Sequence, residues 1–467
     1  MRITTILKKL DSETIAEVFY AGSSVQQILK RKKLCDFEIL VKNMPIGEIG
    51  KYVKKYLKET KIEKKVKQYD DHLIIIDKTD DVKIYLPRKG DRYNPLFSLK
   101  NDAYCKNFTI NAMYLPIRSK SKNKVIDFFG GVEDIRNKKV RTIKKPRKAT
   151  AIYPTIMLKA IALAAELNYN LDKNLFYAIK SNHHLVEKIS INVLRDEITR
   201  ILLSSKPSRY LKILYSSGIL NIIIPELGNC VGVKQNKKYH KYDVFTHSLI
   251  ACDNIKADIT LRLAALLHDT GKPLTMEEVI ENDIAKITFY RHEMVGSQIA
   301  KKILGRLKFD KEIVRKVAEL IYLHMYNYDP KAWSDAAIRR FIRRTKITAK
   351  DLNDLDNLPI FLIRKADRAA NGMNLLAVSN LQLFFQKRIK EIYKKSSALH
   401  VVDLAINGND LIKIFHLKEG PTIGHILDYL LAIVLEDQNI NKKDKLVEIT
   451  SDYLSNILKQ KGDYDGG

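Results

Sequence analysis

The chain has 467 residues, too many for one hydrophobic core, so roughly three or four domains are expected. Its 45% hydrophobic content excludes a chain that is disordered throughout. Lys and Arg number 82 against 54 for Asp and Glu, and the resulting +28 predicts a polyanionic partner, of which nucleic acid is the commonest. Part of that excess fits a codon bias that raises Lys, Ile and Asn together.

Cys35, Cys105, Cys230 and Cys252 are far apart and form no CxxC pair. They predict a reducing compartment rather than a disulfide frame. The opening MRITTILKKLDSE has no signal-peptide apolar core, and no run reaches the roughly 20 apolar residues of a membrane span. A cytoplasmic protein without membrane contact is expected.

Residues 1–143 read as an α/β head. After a short helix, Val18 to Ala21 is a candidate strand that enters the small-residue turn Gly22-Ser23-Ser24 and then a helix through Leu29. Small residues at such a turn let backbone amides approach a phosphate. Next, Asp36-Phe37-Glu38-Ile39-Leu40-Val41 has the period of two that puts Asp36 and Glu38 on one face of a strand.

The stretch FYAGSSVQQILKRKKLCDFEILV resembles the signature of the bacterial tRNA nucleotidyltransferase and poly(A) polymerase family, GGxVRDxLLG followed by DxD. VKIYLPR (82–88) resembles that family's second strand, CKNFTINAM (105–113) its RRDFTINAM, and DFFGGVEDIRNKKVRTI (127–143) the end of its head. The resemblance continues through PELGN, INGNDL (406–411) and GPTIGHIL (420–427), nearly the whole chain. It implies a multidomain α+β protein: a nucleotidyltransferase-like head at 1–143, a helical neck that binds RNA and nucleotide at 144–235, an HD domain at 236–373, and a helical body and tail at 374–467. It also implies a nucleotide-binding role for Gly22, Ser23 and Asn111, with RNA, and tRNA in particular, as partner.

The departures from the family pattern bear on chemistry. Two aspartates and a third carboxylate on the second strand would hold two magnesium ions, but here the positions are Asp36, Glu38 and Lys83. Two unit charges of like sign about 4 Å apart cost about 4 kcal/mol even with screening, so Lys83 opposes a two-metal site. The Arg-Asp of GGxVRD is Gln26-Gln27, and Arg-Arg-Asp before FTINAM is Cys105-Lys106-Asn107. In the neck, EDPxR becomes Ile152-Tyr153-Pro154 with Ile156, and of ERxxxE Glu197 is kept. A degenerate transfer site is expected, with magnesium only if it is active. If the second strand were misaligned, Asp81 would serve in place of Lys83.

Further along, Lys144, Lys145, Arg147 and Lys148 form a basic entry to the neck, whose segments 154–167 and 193–203 have helical periodicity. Then LAALLHDTGKP delivers adjacent His268 and Asp269 to the end of an apolar helix. With His247, His292, His324 and Asp367, their order resembles the HD superfamily of metal-dependent phosphohydrolases. That resemblance implies His247, His268, Asp269 and Asp367 around a first divalent ion, His292 and His324 toward a second, and Lys272 or Arg291 against substrate phosphate. Imidazole with carboxylate suits Mn, Fe, Ni, Zn or Mg. Such an ion lowers the pKa of its bound water and polarises a phosphoryl oxygen. In DAAIRRFIRRTK, Arg339 and Arg343, and Arg340 and Arg344, lie one helical turn apart, a stripe fit for RNA phosphates.

The expectation is therefore an HD-type phosphodiesterase or phosphatase acting on a nucleotide or an RNA 3′-end phosphate, on a scaffold whose transfer site is inactive. The alternatives are an active CCA- or poly(A)-adding enzyme and a non-catalytic RNA-binding protein.

Overall fold

The computed structural model describes residues 3–32, 37–60, 64–76, 81–119, 121–236, 240–281, 284–326, 333–372 and 375–462. Their contacts form two compact units. The first is Met1–Asn229 with Ala257–Ile259 and Ile303–Asp310; the second is Cys230–Lys256, Thr260–Lys302 and Lys311–Gly467. Asp36, one of the transfer-site residues named above, lies outside the described residues.

The first unit begins with helix α1 (Ile3–Glu13), strand β1 (Glu17–Ala21), helix α2 (Ser23–Leu29), strand β2 (Phe37–Lys42) and helix α3 (Ile46–Glu59). Strands β3 (Lys65–Gln68), β4 (His72–Ile76), β5 (Val82–Tyr85), β6 (Met113–Pro116) and β7 (Ile126–Asp127) complete a mixed sheet of order β3-β4-β5-β2-β1-β6-β7. The β2–β5 pair is parallel and the other neighbours are antiparallel.

Alternation sorts the two faces. Val18, Tyr20, Ile39, Val41, Leu73, Ile75, Val82 and Ile84 point to one side. There they meet Ile3, Ile6, Leu7 and Leu10 of α1 and Ile46, Ile49, Val53 and Leu57 of α3, whose i, i+3, i+4 spacing gives each helix one apolar stripe. Each such side chain contributes about 1.5–3 kcal/mol of burial. The opposite face has a smaller cluster of Phe19, Ala21, Leu40, Tyr85, Ala112 and Tyr114. Part of it is left open, and the polar cleft lies there.

The family motifs at the end of the head are staples. Buried Thr109 of FTINAM donates to Asp134 Oδ2 at 2.6 Å, and Arg141 Nε donates to the same carboxylate at 3.0 Å. Asp127 caps the turn that follows it, accepting from the backbone N–H groups of Phe129, Gly131 and Val132. A Cβ on Gly131 would collide with the Thr109 carbonyl, so only glycine permits that approach.

Helices α5 (Thr155–Leu167) and α6 (Ile191–Leu202) pack together in the neck, with the short helix α4 (Leu99–Cys105) preceding them in the head. The short strands Lys139–Val140 and Asn170–Leu171 pair in parallel, joining head to neck. The second unit is helical apart from one hairpin, Met276–Glu281 with Ile284–Phe289. Its helices include α7 (Val244–Asp253), α8 (Ile259–Leu267), α9 (His292–Arg306), α10 (Lys311–Leu323), α11 (Asp335–Thr345), α12 (Pro359–Ala370) and α13 (Pro421–Glu436). No single helix among the described residues is long and apolar enough to cross a membrane.

Candidate active site and metal centre

In the head, Glu38 extends from β2 toward the Gly22–Ser23 turn. Its Oε2 accepts from Ser23 N–H at 3.3 Å, while its own N–H donates to Ser24 Oγ at 2.7 Å. Gly22 has φ +50, and a Cβ there would overlap the Glu38 carboxylate. The amide expected to face a phosphate thus holds Glu38 instead. Asn111 Oδ1 accepts from Gln26 Nε2 at 2.5 Å, and the same nitrogen donates to the Ile110 carbonyl at 3.0 Å. Gln26 therefore ties α2 to the FTINAM segment, a role that sequence comparison registered as a missing arginine.

The β2–β5 register sets Glu38 beside Lys83. Asp81 precedes β5, with its carbonyl accepting from Phe37 N–H at 2.8 Å, and so does not take the place of Lys83.

Glu38 also borders a cavity of about 310 Å³ lined by Ser23, Gln27, Lys30 and Asn111 of the head and by Leu163, Glu166 and Arg200 of the neck. Arg200 is clamped there, with Nε and Nη2 each 2.6 Å from the Glu166 carboxylate and Nη1 on Glu197. Lys30 lies over the Tyr169 ring at 4.4 Å, and burial, aided by nearby Lys32, lowers its pKa to about 8. The residues at the EDPxR positions of the neck are not in this wall: Tyr153 is exposed and Ile156 is buried.

In the second unit five elements converge. His247 sits one turn into α7, capped by Asp243, whose Oδ1 accepts from Thr246 N–H. His268 and Asp269 follow α8, His292 opens α9, His324 follows α10, and Asp367 lies on α12. All six side chains are buried. Three imidazoles are oriented alike: Nδ1 of His268, His292 and His324 lies 2.9, 2.8 and 2.6 Å from the carbonyl three residues earlier. A carbonyl accepts only from N–H, so each Nδ1 is protonated and each Nε2 is free to face inward.

Those nitrogens surround Asp269. Its Oδ2 is 3.3 Å from His268 Nε2 and 3.5 Å from His247 Nε2; its Oδ1 is 3.4 Å from His292 Nε2 and 3.9 Å from His324 Nε2. Asp367 Oδ1 lies 3.1 Å from His247 Nε2. Donors bound to one transition-metal ion at about 2.0–2.2 Å lie roughly 3 to 3.5 Å apart. Asp269 Oδ1 and His292 Nε2 are buried with no hydrogen-bond partner among the described residues, and a divalent cation would satisfy both. This donor set fits such an ion.

Burial pushes both carboxyls up, but His268 and Lys272 beside Asp269, and His247, His268 and Arg364 beside Asp367, hold them well below the usual range. Lys272, expected against substrate phosphate, is itself buried, 2.7 Å from both Asp269 Oδ2 and Gln235 Oε1. It compensates a ligand and offers no free charge. Arg364 does the same for Asp367 at 2.6 Å and had no signal in the sequence beyond its place one turn earlier. Arg291 is exposed, with φ +58. Gly271 allows the His-Asp turn to press on α9, since a Cβ there would overlap the His292 carbonyl.

The arginine stripe on α11 is largely consumed. Arg339 donates to the Leu435 and Glu436 carbonyls at the end of α13, Arg343 pairs with Asp428 at 2.5 Å, and Arg340 pairs with Glu436. Four unsatisfied carbonyls at a helix end attract such donors, and these arginines brace helices. Arg344 stacks over Tyr322, while Lys144, Lys145, Arg147 and Lys148 stay exposed.

Comparison with known proteins identifies the parts. A poly A polymerase head-domain model matches residues 18–141, a model for the probable RNA- and SrmB-binding site of polymerase A matches 168–230, and an HD-domain model matches 238–359. The head, the RNA-binding module and the HD domain of the tRNA nucleotidyltransferase and poly(A) polymerase family are thus all present. Similar relatives are an A-adding tRNA nucleotidyltransferase of Deinococcus radiodurans, 25% identical over 71% of this chain and 74% of that one, and a CC-adding tRNA nucleotidyltransferase of Thermus thermophilus, 26% identical over 74% and 76%. A CCA-adding enzyme of Pediococcus pentosaceus is 23% identical over 94% of each chain. The fold is also that of the Bacillus stearothermophilus CCA-adding enzyme crystallised with CTP, with TM-score 0.65 and 18% identity over 98% of each chain.

The relatives correct the expected enzyme class. The HD residues predict a hydrolase, but the named relatives that span both head and HD regions are nucleotidyltransferases. An HD domain is thus part of this family's architecture and does not define its enzyme class. RNA is the partner that the matched RNA-binding module implies.

Proposed function

We propose that this protein is a tRNA nucleotidyltransferase that adds C, A or both to the RNA 3′ end from CTP and ATP. The observation that carries this reading is the 310 Å³ cavity, where the Glu38 strand and turn meet the neck pair Glu166–Arg200 within one compact unit. The Glu38 carboxylate, the Lys30 ammonium and the Arg200 guanidinium border a volume in the range of small-molecule pockets, enough for the base and sugar of a nucleotide. The names of the relatives, which align over 71%, 74% and 94% of this chain, support the same reading.

In the reaction the RNA 3′-oxygen bonds to the α-phosphorus, the bridging bond to the β-phosphate breaks, pyrophosphate leaves, and the hydroxyl proton goes to solvent. The protein's work is positioning and electrostatic stabilisation. Ser23 and Ser24 fix Glu38, and Gln26 fixes the turn against Asn111. The described residues do not fit the family's two-magnesium arrangement, because Lys83 neighbours Glu38 on the second strand.

At the HD centre, His247, His268, Asp269 and Asp367 would hold one divalent ion, with His292 and His324 beside it. The imidazole-rich set favours Mn, Fe, Ni or Zn over Mg. A bound ion would supply the positive charge that ties two carboxylates and four imidazoles into one buried cluster.

The test is incorporation of label from α-labelled CTP and ATP into tRNA lacking its 3′ CCA. The wild type extends the RNA, and Glu38→Gln is slower by at least about 100-fold. No extension by the wild type would overturn the reading.

A further inference from the structure

A second cleft in the head has no role yet. Cross-strand pairing sets Glu38 beside Lys83 and His72 beside Tyr85, and alternation turns all four away from the apolar core that holds Ile39, Leu73 and Ile84. With Asp71, Arg88, Tyr93 and Lys106 they line a cavity of about 200 Å³.

Its charges are held from behind by buried groups. Asp102 is fully buried; its Oδ2 accepts from Tyr114 Oη at 2.6 Å and its Oδ1 from Arg88 N–H at 3.3 Å. The same carboxylate lies 3.4 Å from the Lys106 ammonium, which also donates to Tyr85 Oη at 3.0 Å. Arg88 Nη2 donates to the Cys105 carbonyl at 2.5 Å. Two of the cations are thus oriented before any ligand arrives, while Lys83 reaches out from an exposed position on β5. Three cations, Lys83, Arg88 and Lys106, and two carboxylates, Glu38 and Asp71, line the cavity, while the third carboxylate, Asp102, is buried behind Lys106, so one more cation than carboxylate is presented to the cavity itself. A carboxylate in place of Lys83 would reverse that sign and make a divalent cation necessary for any polyanion. Asp71 is engaged on the other side, its Oδ1 2.6 Å from His72 Nδ1.

We propose that this cleft seats the triphosphate of the incoming nucleotide, with the Lys83 ammonium standing in for one of the two divalent cations. The inference rests on the transferase reading for its reaction but makes a separate claim about binding. The seat accepts triphosphate without metal, its affinity falls steeply with salt, and the metal requirement of transfer is correspondingly reduced.

The experiment is calorimetric titration of the full chain with ATP and with inorganic triphosphate, in excess EDTA and then in magnesium. The wild type binds both in EDTA. Lys83→Met weakens binding in EDTA by at least tenfold. Lys83→Glu abolishes it there and regains it when magnesium is added. Lys83 is exposed, so unchanged melting temperatures show that both variants fold.

Wild-type binding that needs added magnesium would overturn the proposal. So would a Lys83→Met variant that binds triphosphate normally, or one that loses affinity for single-stranded RNA instead. The extension assay separates the two claims: chelator-resistant binding without RNA extension keeps the seat and rejects the transferase, and extension with strictly magnesium-dependent binding does the reverse.

Discussion

The HD centre and the head cleft hold charge in opposite ways. At the HD centre, six buried side chains cluster in two overlapping groups, His247, His268 and Asp367 and then His268, Asp269 and His324 with His292 beside Asp269, and Lys272 and Arg364 compensate the carboxylates from outside. In the head cleft, the cations themselves line the cavity, and the compensating carboxylate, Asp102, is buried behind them. On the readings proposed above, the first arrangement would take a cation and the second an anion. Motif matching treats both as variations on a metal site, whereas the placement of counter-charges tells them apart.

The contrast breaks most readily at Asp269. Asp269→Ala removes the carboxylate that neighbours four imidazoles and leaves Lys272 buried without it; a loss of about 3–5 kcal/mol is expected. Metal content by mass spectrometry falls with it, and denaturant unfolding measures the stability. Metal stripping of the wild type lowers the melting temperature in the same direction, whereas Lys83→Met in the head leaves metal content and melting temperature as they were.

Next comes the turn that supports Glu38. Gly22→Ala forces a Cβ onto the carboxylate at φ +50, and at least about 1–2 kcal/mol of backbone strain is expected. Nucleotide incorporation should fall more than stability does, because Glu38 is what moves.

Thr109→Val tests whether FTINAM serves the fold. It deletes a buried hydrogen bond and leaves Asp134 short of a donor, so about 1–3 kcal/mol is lost in chemical unfolding. The Km for nucleotide should change less than the midpoint of unfolding.

The smallest effect is at α11. Arg339→Ala uncaps two carbonyls at the end of α13 and should cost about 0.5–1.5 kcal/mol. RNA affinity in a salt titration should keep its slope. A slope lower by about one would restore Arg339 to the phosphate contacts.

Much of this was legible along the chain. The alternation of Val18 to Ala21, the helical stripe of 154–167 and the head motifs specify elements whose local period matches their burial, and the family follows from them. The register of Glu38 with Lys83 was less legible: alternation forbids a slip of one residue, which would turn Ile39 and Ile84 out of the core, but allows the two-residue slip that would put Asp81 in place of Lys83, and the β2–β5 pairing decides it. Roles were less legible than positions. Gly22 and Ser23 read as a phosphate turn because a small-residue turn looks the same whether its amides face a ligand or the protein's own carboxylate.

The arginines of α11 show the same limit. Periodicity put them on one helix face but could not say that the end of α13 lies against it. What the sequence by itself determined was the family, the order of elements and the chemical types brought to each site. Tertiary structure alone decided which charges were already spent: Lys272 on Asp269, Arg343 on Asp428, Ser23 N–H on Glu38. The physical reason is that a side chain's identity fixes what it can donate or accept, while its partner is chosen among whatever neighbours folding brings close, whether one turn away, as Asp269 is from Lys272, or 85 residues away, as Asp428 is from Arg343.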